Sequence, residues 1–246
     1  MKIVVVGGTG LIGSQVVRRL KELGHEATAA AQSTGVNVIT GVGLDEALAG
    51  AETVVDLTNS PTFDEASPAF FRTSMDNLLE AARTAGVGHV VVLSIVGVDQ
   101  VPELDYYRAK VLQEELLEAG RIPYSIVRAT QFMEFVDAVL SWTTDGETVR
   151  LPRTPIQPIA AADVAAAVAE AAAGTPLEGV RDIGGPEVFT LDELGRVTIA
   201  AKGDGRQVVV DDAAGMFGVV KGDVLTAPDG ARIAPTRYRD WLASAR

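Results

Sequence analysis

The chain opens with a short apolar run, Ile3-Val-Val-Val6, whose β-branched residues predict a strand buried on both faces. At Leu11 the period changes. Leu11, Ile12, Val16, Val17, Leu20 and Leu23 fall on one broad helical face, and Gly24 ends it. A second strand is predicted over His25–Ala31 and a third over Val36–Thr40. The four residues Gln32-Ser-Thr-Gly35 between them are too few for a crossover helix. A short helix over Asp45–Leu48, a strand over Thr53–Leu57 and a loop over Pro61–Pro68 follow. Next come a long amphipathic helix over Pro68–Ala85 stopped by Gly86, and an apolar strand over Val87–Ser94. A helix over Tyr106–Ala119 and a strand over Tyr124–Arg128 complete the run. Strand and helix in alternation predict an α/β protein with a Rossmann-type, doubly wound parallel sheet.

From Gln131 the texture changes. Gly146–Pro158 carries three prolines and reads as irregular strand or loop. Asp163 is the expected N-cap of an alanine-rich helix running to Ala173, apolar nearly all round and so expected to be buried. Val180–Ile183 reads as one more strand, and Thr190 with Glu193 forms a capping box at the start of a helix. After that the chain is rich in Gly and Asp and poorly periodic until Trp241. The division predicted is a Rossmann domain over 1–130 and a small C-terminal lobe over 131–246 that partly returns to the sheet.

Three glycines join the first strand to the first helix at the spacing Gly7-x-x-Gly10-x-x-Gly13. Such a turn presents free backbone N–H groups and the positive end of a helix dipole, which suits a pyrophosphate. Dinucleotide binding is therefore expected here, through Gly7, Thr9, Gly10, Leu11, Ile12 and Gly13. A second site lies on the fourth helix, where Tyr106 and Lys110 are four residues apart and share a face. An ammonium beside a phenol favours the phenolate, and such a phenol can pass a proton to a carbonyl oxygen. Tyr107 is the neighbouring competitor.

Charge narrows the partners. A net charge of −12 argues against nucleic acid, because phosphate binding needs a basic face. No apolar stretch reaches the ~20 residues of a membrane span, and the apolar start is too short for a signal peptide. With no cysteines the chain has no disulfides or thiolate sites, which fits the cytoplasm. His25 and His89 stand at strand starts away from the expected pocket, with neighbouring carboxylates no closer than chance, so no metal site is expected.

Taken with Gly7-Gly-Thr-Gly-Leu-Ile-Gly13 and Tyr106-Tyr-Arg-Ala-Lys110, further segments carry a resemblance. They are His89-Val-Val-Val-Leu-Ser94, Pro123-Tyr-Ser-Ile-Val-Arg128, Ile159-Ala-Ala-Ala-Asp-Val164 and Gly184-Gly-Pro-Glu-Val-Phe-Thr190. The chain resembles an atypical short-chain dehydrogenase/reductase, similar to the NmrA-like NAD(P)-binding proteins. The resemblance implies that the first motif holds the cofactor pyrophosphate, that Tyr106 and Lys110 do the acid/base work, and that Lys110 also holds a ribose. It implies a C-terminal lobe over a small-molecule substrate, and a homodimer is common in the wider family. Where relatives add a second hydroxyl beyond the strand-end serine, this chain has Val96, leaving Ser94 as the nearby hydroxyl. Thr58 and Asn59 are expected on the nicotinamide side, or in a turn that such residues favour.

Cofactor choice turns on the end of the second strand. Gln32, Ser33 and Thr34 place no carboxylate there to repel a 2′-phosphate and offer hydrogen-bond donors to one. An arginine common in relatives is absent, but the balance predicts NADP(H) over NAD(H). Arg128, Gln131 and Phe132 are the expected substrate residues, with an internal ion pair as the alternative for Arg128. The activity expected is NAD(P)H-dependent reduction of a carbonyl or quinone-like small molecule. The alternatives are a redox sensor acting through a protein partner, and a non-redox isomerase or epimerase on the same fold.

Overall fold

The computed structural model describes residues 1–244. In chain order its elements are β1 (Lys2–Val6), α1 (Leu11–Glu22), β2 (Glu26–Ala30), α2 (Leu44–Leu48), β3 (Thr53–Asp56), α3 (Ser67–Ala85) and β4 (His89–Ile95). These are followed by α4 (Asp105–Ala119), β5 (Tyr124–Ala129), α5 (Val136–Trp142), β6 (Thr144–Asp145), β7 (Thr148–Leu151) and β8 (Pro155–Ile156). The remainder is α6 (Ala161–Ala173), β9 (Gly179–Gly184), β10 (Phe189–Thr190), α7 (Leu191–Lys202), β11 (Gln207–Val210), β12 (Arg232–Ile233) and α8 (Tyr238–Ser244).

Seven strands form a Rossmann-like parallel sheet in the order β12-β9-β5-β4-β3-β1-β2. Val4 of β1 sits opposite Thr28 on one side and Val54 on the other, so the apolar run of β1 is flanked by strands and shielded on both faces. Ile3, Val4, Val5 and Val6 are at most 1% exposed, as a double-sided core strand requires. Burying each such side chain contributes about 1.5–3 kcal/mol. α2, α3, α4, β4 and β5 supply the rest of one large core through Leu44, Leu48, Met75, Leu78, Ala82, Val90, Val92, Leu117 and Ile126.

By internal contacts the chain divides into two compact units. One comprises residues 1–128 and 164–181, the other 129–163 and 182–246. The second unit has its own three-stranded sheet, β11-β7-β6, and a two-stranded antiparallel pair of β10 and β8. α7 begins with the predicted capping box, in which the Glu193 carboxylate accepts the Thr190 N–H at 3.2 Å.

Two local expectations are corrected. Val36–Thr40 is not a strand but a loop. The Asn37 Oδ1 accepts the N–H groups of Ile39 (2.9 Å) and Thr40 (3.2 Å), and the Asn77 amide of α3 donates to the carbonyls of Val38 and Ile39. Side chains thus satisfy the backbone that a ladder would otherwise pair, while Val36 is buried and Val38 packs on the core. Asp163 is not an N-cap. α6 starts two residues earlier, with the Ala161 N–H accepted by the Glu134 carboxylate, and Asp163 accepts the Thr236 N–H instead. The alanine-rich helix is buried as expected, with Val164, Val168, Ala169 and Ala172 at 0% exposure.

Candidate active site

The glycine turn is built so that only glycine fits at three of its positions. Gly7 has φ +77°, and a Cβ there would lie 2.6 Å from the Leu57 carbonyl oxygen. At Gly8 a Cβ would meet the Val5 oxygen at 2.5 Å, and at Gly13 it would meet the Gly7 oxygen at 2.2 Å. The turn is therefore folded against β1, β2 and the chain leaving β3, with α1 pressed onto it. Gly10 caps α1 without a side-chain bond, and no acidic residue occupies the first turn. The N–H groups of that turn have no capping side chain, and Thr9, Gly10 and Leu11 lie exposed around them. That is the donor set a pyrophosphate needs, so these residues fit a nicotinamide dinucleotide. Gly8, which lies outside the Gly7-x-x-Gly10-x-x-Gly13 spacing, is thus as tightly constrained as Gly7 and Gly13. Gly13→Ala is expected to weaken NADPH binding by 100-fold or more (order of magnitude) and to destabilise the fold by about 1–3 kcal/mol. Cofactor-fluorescence titration and thermal melting would measure the two effects.

Of the residues at the end of β2, Gln32 and Ser33 are exposed. The Thr34 hydroxyl is turned back, accepting the Ala31 N–H at 2.8 Å and donating to the Ala31 carbonyl at 3.0 Å. It is engaged locally, which leaves two free donors where the sequence suggested three.

Tyr106 and Lys110 both sit on α4, but their polar ends have different partners. The Tyr106 hydroxyl donates to the Asn59 Oδ1 at 2.5 Å. Its ring lies 4.8 Å from that of Phe63 and 6.1 Å from that of Phe71. Lys110 is 4% exposed; its ammonium donates to the Leu93 carbonyl at 2.7 Å and to the Gln113 Oε1, and stands 4.9 Å over the Phe71 ring. Burial, with Tyr107 next, pushes the Tyr106 phenol above its usual range. Burial lowers Lys110 to about 8, opposed by the charges of Asp56 and Glu114. The expected lowering of the phenol by the ammonium is not borne out: burial and the charge of Tyr107 both push Tyr106 upward, and Lys110 is not among the groups that act on it. Tyr107, the competitor, is 3% exposed and packed in the core.

Ser94, near the end of β4, is 3% exposed and its Oγ has no hydrogen-bond partner. A buried hydroxyl without a partner is one a ligand can satisfy. Val96 is buried too, so core packing occupies the position where the family resemblance led to the expectation of a hydroxyl. Thr58 donates its N–H to the Asp56 Oδ1 at 2.9 Å. Arg128 goes to the internal ion pair: its Nε and Nη2 donate to the two Glu114 oxygens at 3.0 and 2.5 Å, and its Nη1 to Asp99 at 3.3 Å. These bonds hold the guanidinium above its usual range and leave it poorly placed to serve a substrate. In the second unit, Gln131 has both amide atoms buried without a partner, and Phe132 bridges to Ile159. Sequence reasoning missed Asp56, Gln113, Phe63 and Phe71. Only their contacts across separate elements bring them to notice. Among the described residues there is no cluster suited to a metal ion, and no helix is long and apolar enough to cross a membrane.

Comparison with known proteins agrees with this geometry. Residues 7–174 match the model of a family described as NAD(P)H-binding. The (4-alkanoyl-5-oxo-2,5-dihydrofuran-3-yl)methyl phosphate reductase of Streptomyces griseus is 30% identical over 210 residues, covering 78% of this chain and 70% of that protein. Photosystem II assembly factor Ycf39 of Synechocystis is 25% identical over 221 residues, covering 78% and 67%. The solved structure of MoeE5 in complex with UDP-glucuronic acid and NAD superposes with a TM-score of 0.74 at 20% identity, covering 99% and 97%, a likeness of fold. The glycine turn, its uncapped helix and these matches lead to one assignment: the chain belongs to the NAD(P)H-binding family, in the atypical short-chain dehydrogenase/reductase group.

Proposed function

We propose that the protein is an NADPH-dependent reductase of a carbonyl or quinone-like small molecule, with Tyr106 as the proton donor. The bound nicotinamide would supply the hydride. One observation carries the reading: a phenol kept protonated by burial stands on α4, its hydroxyl ordered by Asn59. A phenol pushed upward is a poor base at rest and a ready donor to an oxygen that becomes strongly basic as hydride arrives. Ser94, with its unpaired hydroxyl, suits a hydrogen bond to that same oxygen. Lys110 supplies positive charge nearby and, on this reading, holds the ribose hydroxyls. The preference for NADPH rests on Gln32 and Ser33, which offer donors and no carboxylate.

NADPH oxidation followed against quinones, ketones, aldehydes and enones, with NADH in parallel, tests both parts. The expected result is turnover with one of these classes and at least a severalfold preference for NADPH. A second reading, a nucleotide-binding protein that acts on a protein partner, draws support from the likeness to Ycf39, named an assembly factor. Silence across the panel from protein that binds NADPH would select it.

A further inference from the structure

Beyond Tyr106 and Lys110 the structure contains a buried polar chain formed by Asp56, Gln113 and the Lys110 ammonium. Asp56, at the end of β3, is 1% exposed, and Gln113, one turn beyond Lys110 on α4, is 0% exposed. Gln113 uses both ends of its amide. Its Oε1 accepts from the Lys110 ammonium, and its Nε2 donates to the Asp56 Oδ2 at 2.8 Å. The other Asp56 oxygen accepts the Thr58 N–H. Every oxygen of the carboxylate is engaged, and the amide orientation follows from its neighbours, since the reverse would set donor against donor.

A buried ammonium needs a counter-charge, because desolvation otherwise costs several kcal/mol. Around Lys110 the charged candidates are Asp56 from β3 and Glu114 from α4. Among the described residues the other packed elements contribute the Phe71 ring of α3 and the Leu93 carbonyl of β4. Glu114 has both oxygens on the Arg128 guanidinium of β5, so its charge is already matched. Asp56 has no such cation of its own among its bonds. We propose that Asp56 and Gln113 are positioning residues for Lys110. Gln113 spans the gap between carboxylate and ammonium, so that one buried carboxylate supplies the counter-charge and, with the Leu93 carbonyl, fixes where the ammonium points. The role given to Lys110 itself rests on the proposed reductase reading. The turn that begins at Asp56 also carries Asn59, the acceptor for Tyr106, so α4 is tied to it at two points.

The test is a carbon-13 NMR titration of the lysine Cε resonances in the protein without ligand. The chain has five lysines, and Lys110→Met identifies the relevant signal. In the parent Lys110 is expected to titrate near 8. Asp56→Asn should lower its proton affinity by about tenfold or more, and Gln113→Leu should move it the same way by less. The alkaline rise in NADPH dissociation constant should shift downward in step. Circular dichroism establishes that each variant is folded, and Gln113→Leu decides the matter alone if Asp56→Asn is not. An unchanged Lys110 titration in a folded variant overturns the proposal. Failure of the reductase reading has a separate signature, no NADPH oxidation by the parent with any quinone, ketone, aldehyde or enone, which leaves this titration untouched.

Discussion

Tyr106→Phe is expected to reduce kcat by about 100- to 10,000-fold while leaving NADPH affinity within about twofold of the parent. The change removes one oxygen. The ring keeps its neighbours, Phe63 at 4.8 Å and the fully buried Phe71 at 6.1 Å, so packing is retained. Among the described residues the hydrogen bond lost is the one to Asn59, an exposed residue whose amide water can satisfy. The stability change should therefore stay within about 1 kcal/mol, which separates loss of chemistry from loss of fold. Steady-state kinetics, cofactor fluorescence and a thermal melt on one preparation make the comparison. Turnover within a few-fold of the parent would remove Tyr106 from the proton-donor role.

Lys110→Met should impair both turnover and cofactor affinity, each by about tenfold or more, because the same ammonium is assigned to both. Its pH behaviour is a sharper test. In the folded chain burial lowers Lys110 from its ordinary 10.5 to about 8. Below pH 8 it is protonated in both folded and unfolded chains, and the fold bears the full cost of about 3 kcal/mol. Between pH 8 and 10.5 the folded chain sheds the proton first, and the cost is progressively relieved. The parent should therefore gain stability relative to Lys110→Met as pH rises through this window. Parallel urea denaturation series at pH 7 and pH 9.5 would measure that gain. An equal difference at both values would show that Lys110 titrates normally. In activity the sign is opposite. The ammonium is the useful form, so cofactor affinity should fall on the alkaline side of 8.

The core of the candidate site was legible because local rules govern it. The glycine turn must follow a buried strand and precede a helix, and the 2.2 Å approach of a Gly13 Cβ to the Gly7 oxygen shows why the third position is glycine. The Tyr106–Lys110 spacing placed both residues on one helix, but not the partners of their polar ends. Those come from the segment after β3, from α3 and from β4, all distant in sequence, and for Lys110 also from Gln113 three residues on. The Val36–Thr40 loop illustrates the same limit from the opposite side. Its alternating valines have strand character, but Asn37 and Asn77 satisfy the backbone through side chains, and β2 remains the edge of the sheet. Arg128 could be read as ion pair or substrate contact, and the choice required Glu114 to be found within 3.0 Å.

By itself the sequence determined the alternation of strand and helix, the glycine-bound turn, and the residue types able to move a proton. Periodicity, glycine sterics and helix spacing act over a few residues, so they can be read along the chain. Tertiary structure decided which buried charge answers which. It assigned Arg128 to Glu114, carried Lys110 through Gln113 toward Asp56, and left Tyr106 a phenol rather than a phenolate. Desolvation and hydrogen bonding in a core depend on groups brought together from distant segments, and only the folded chain brings them together.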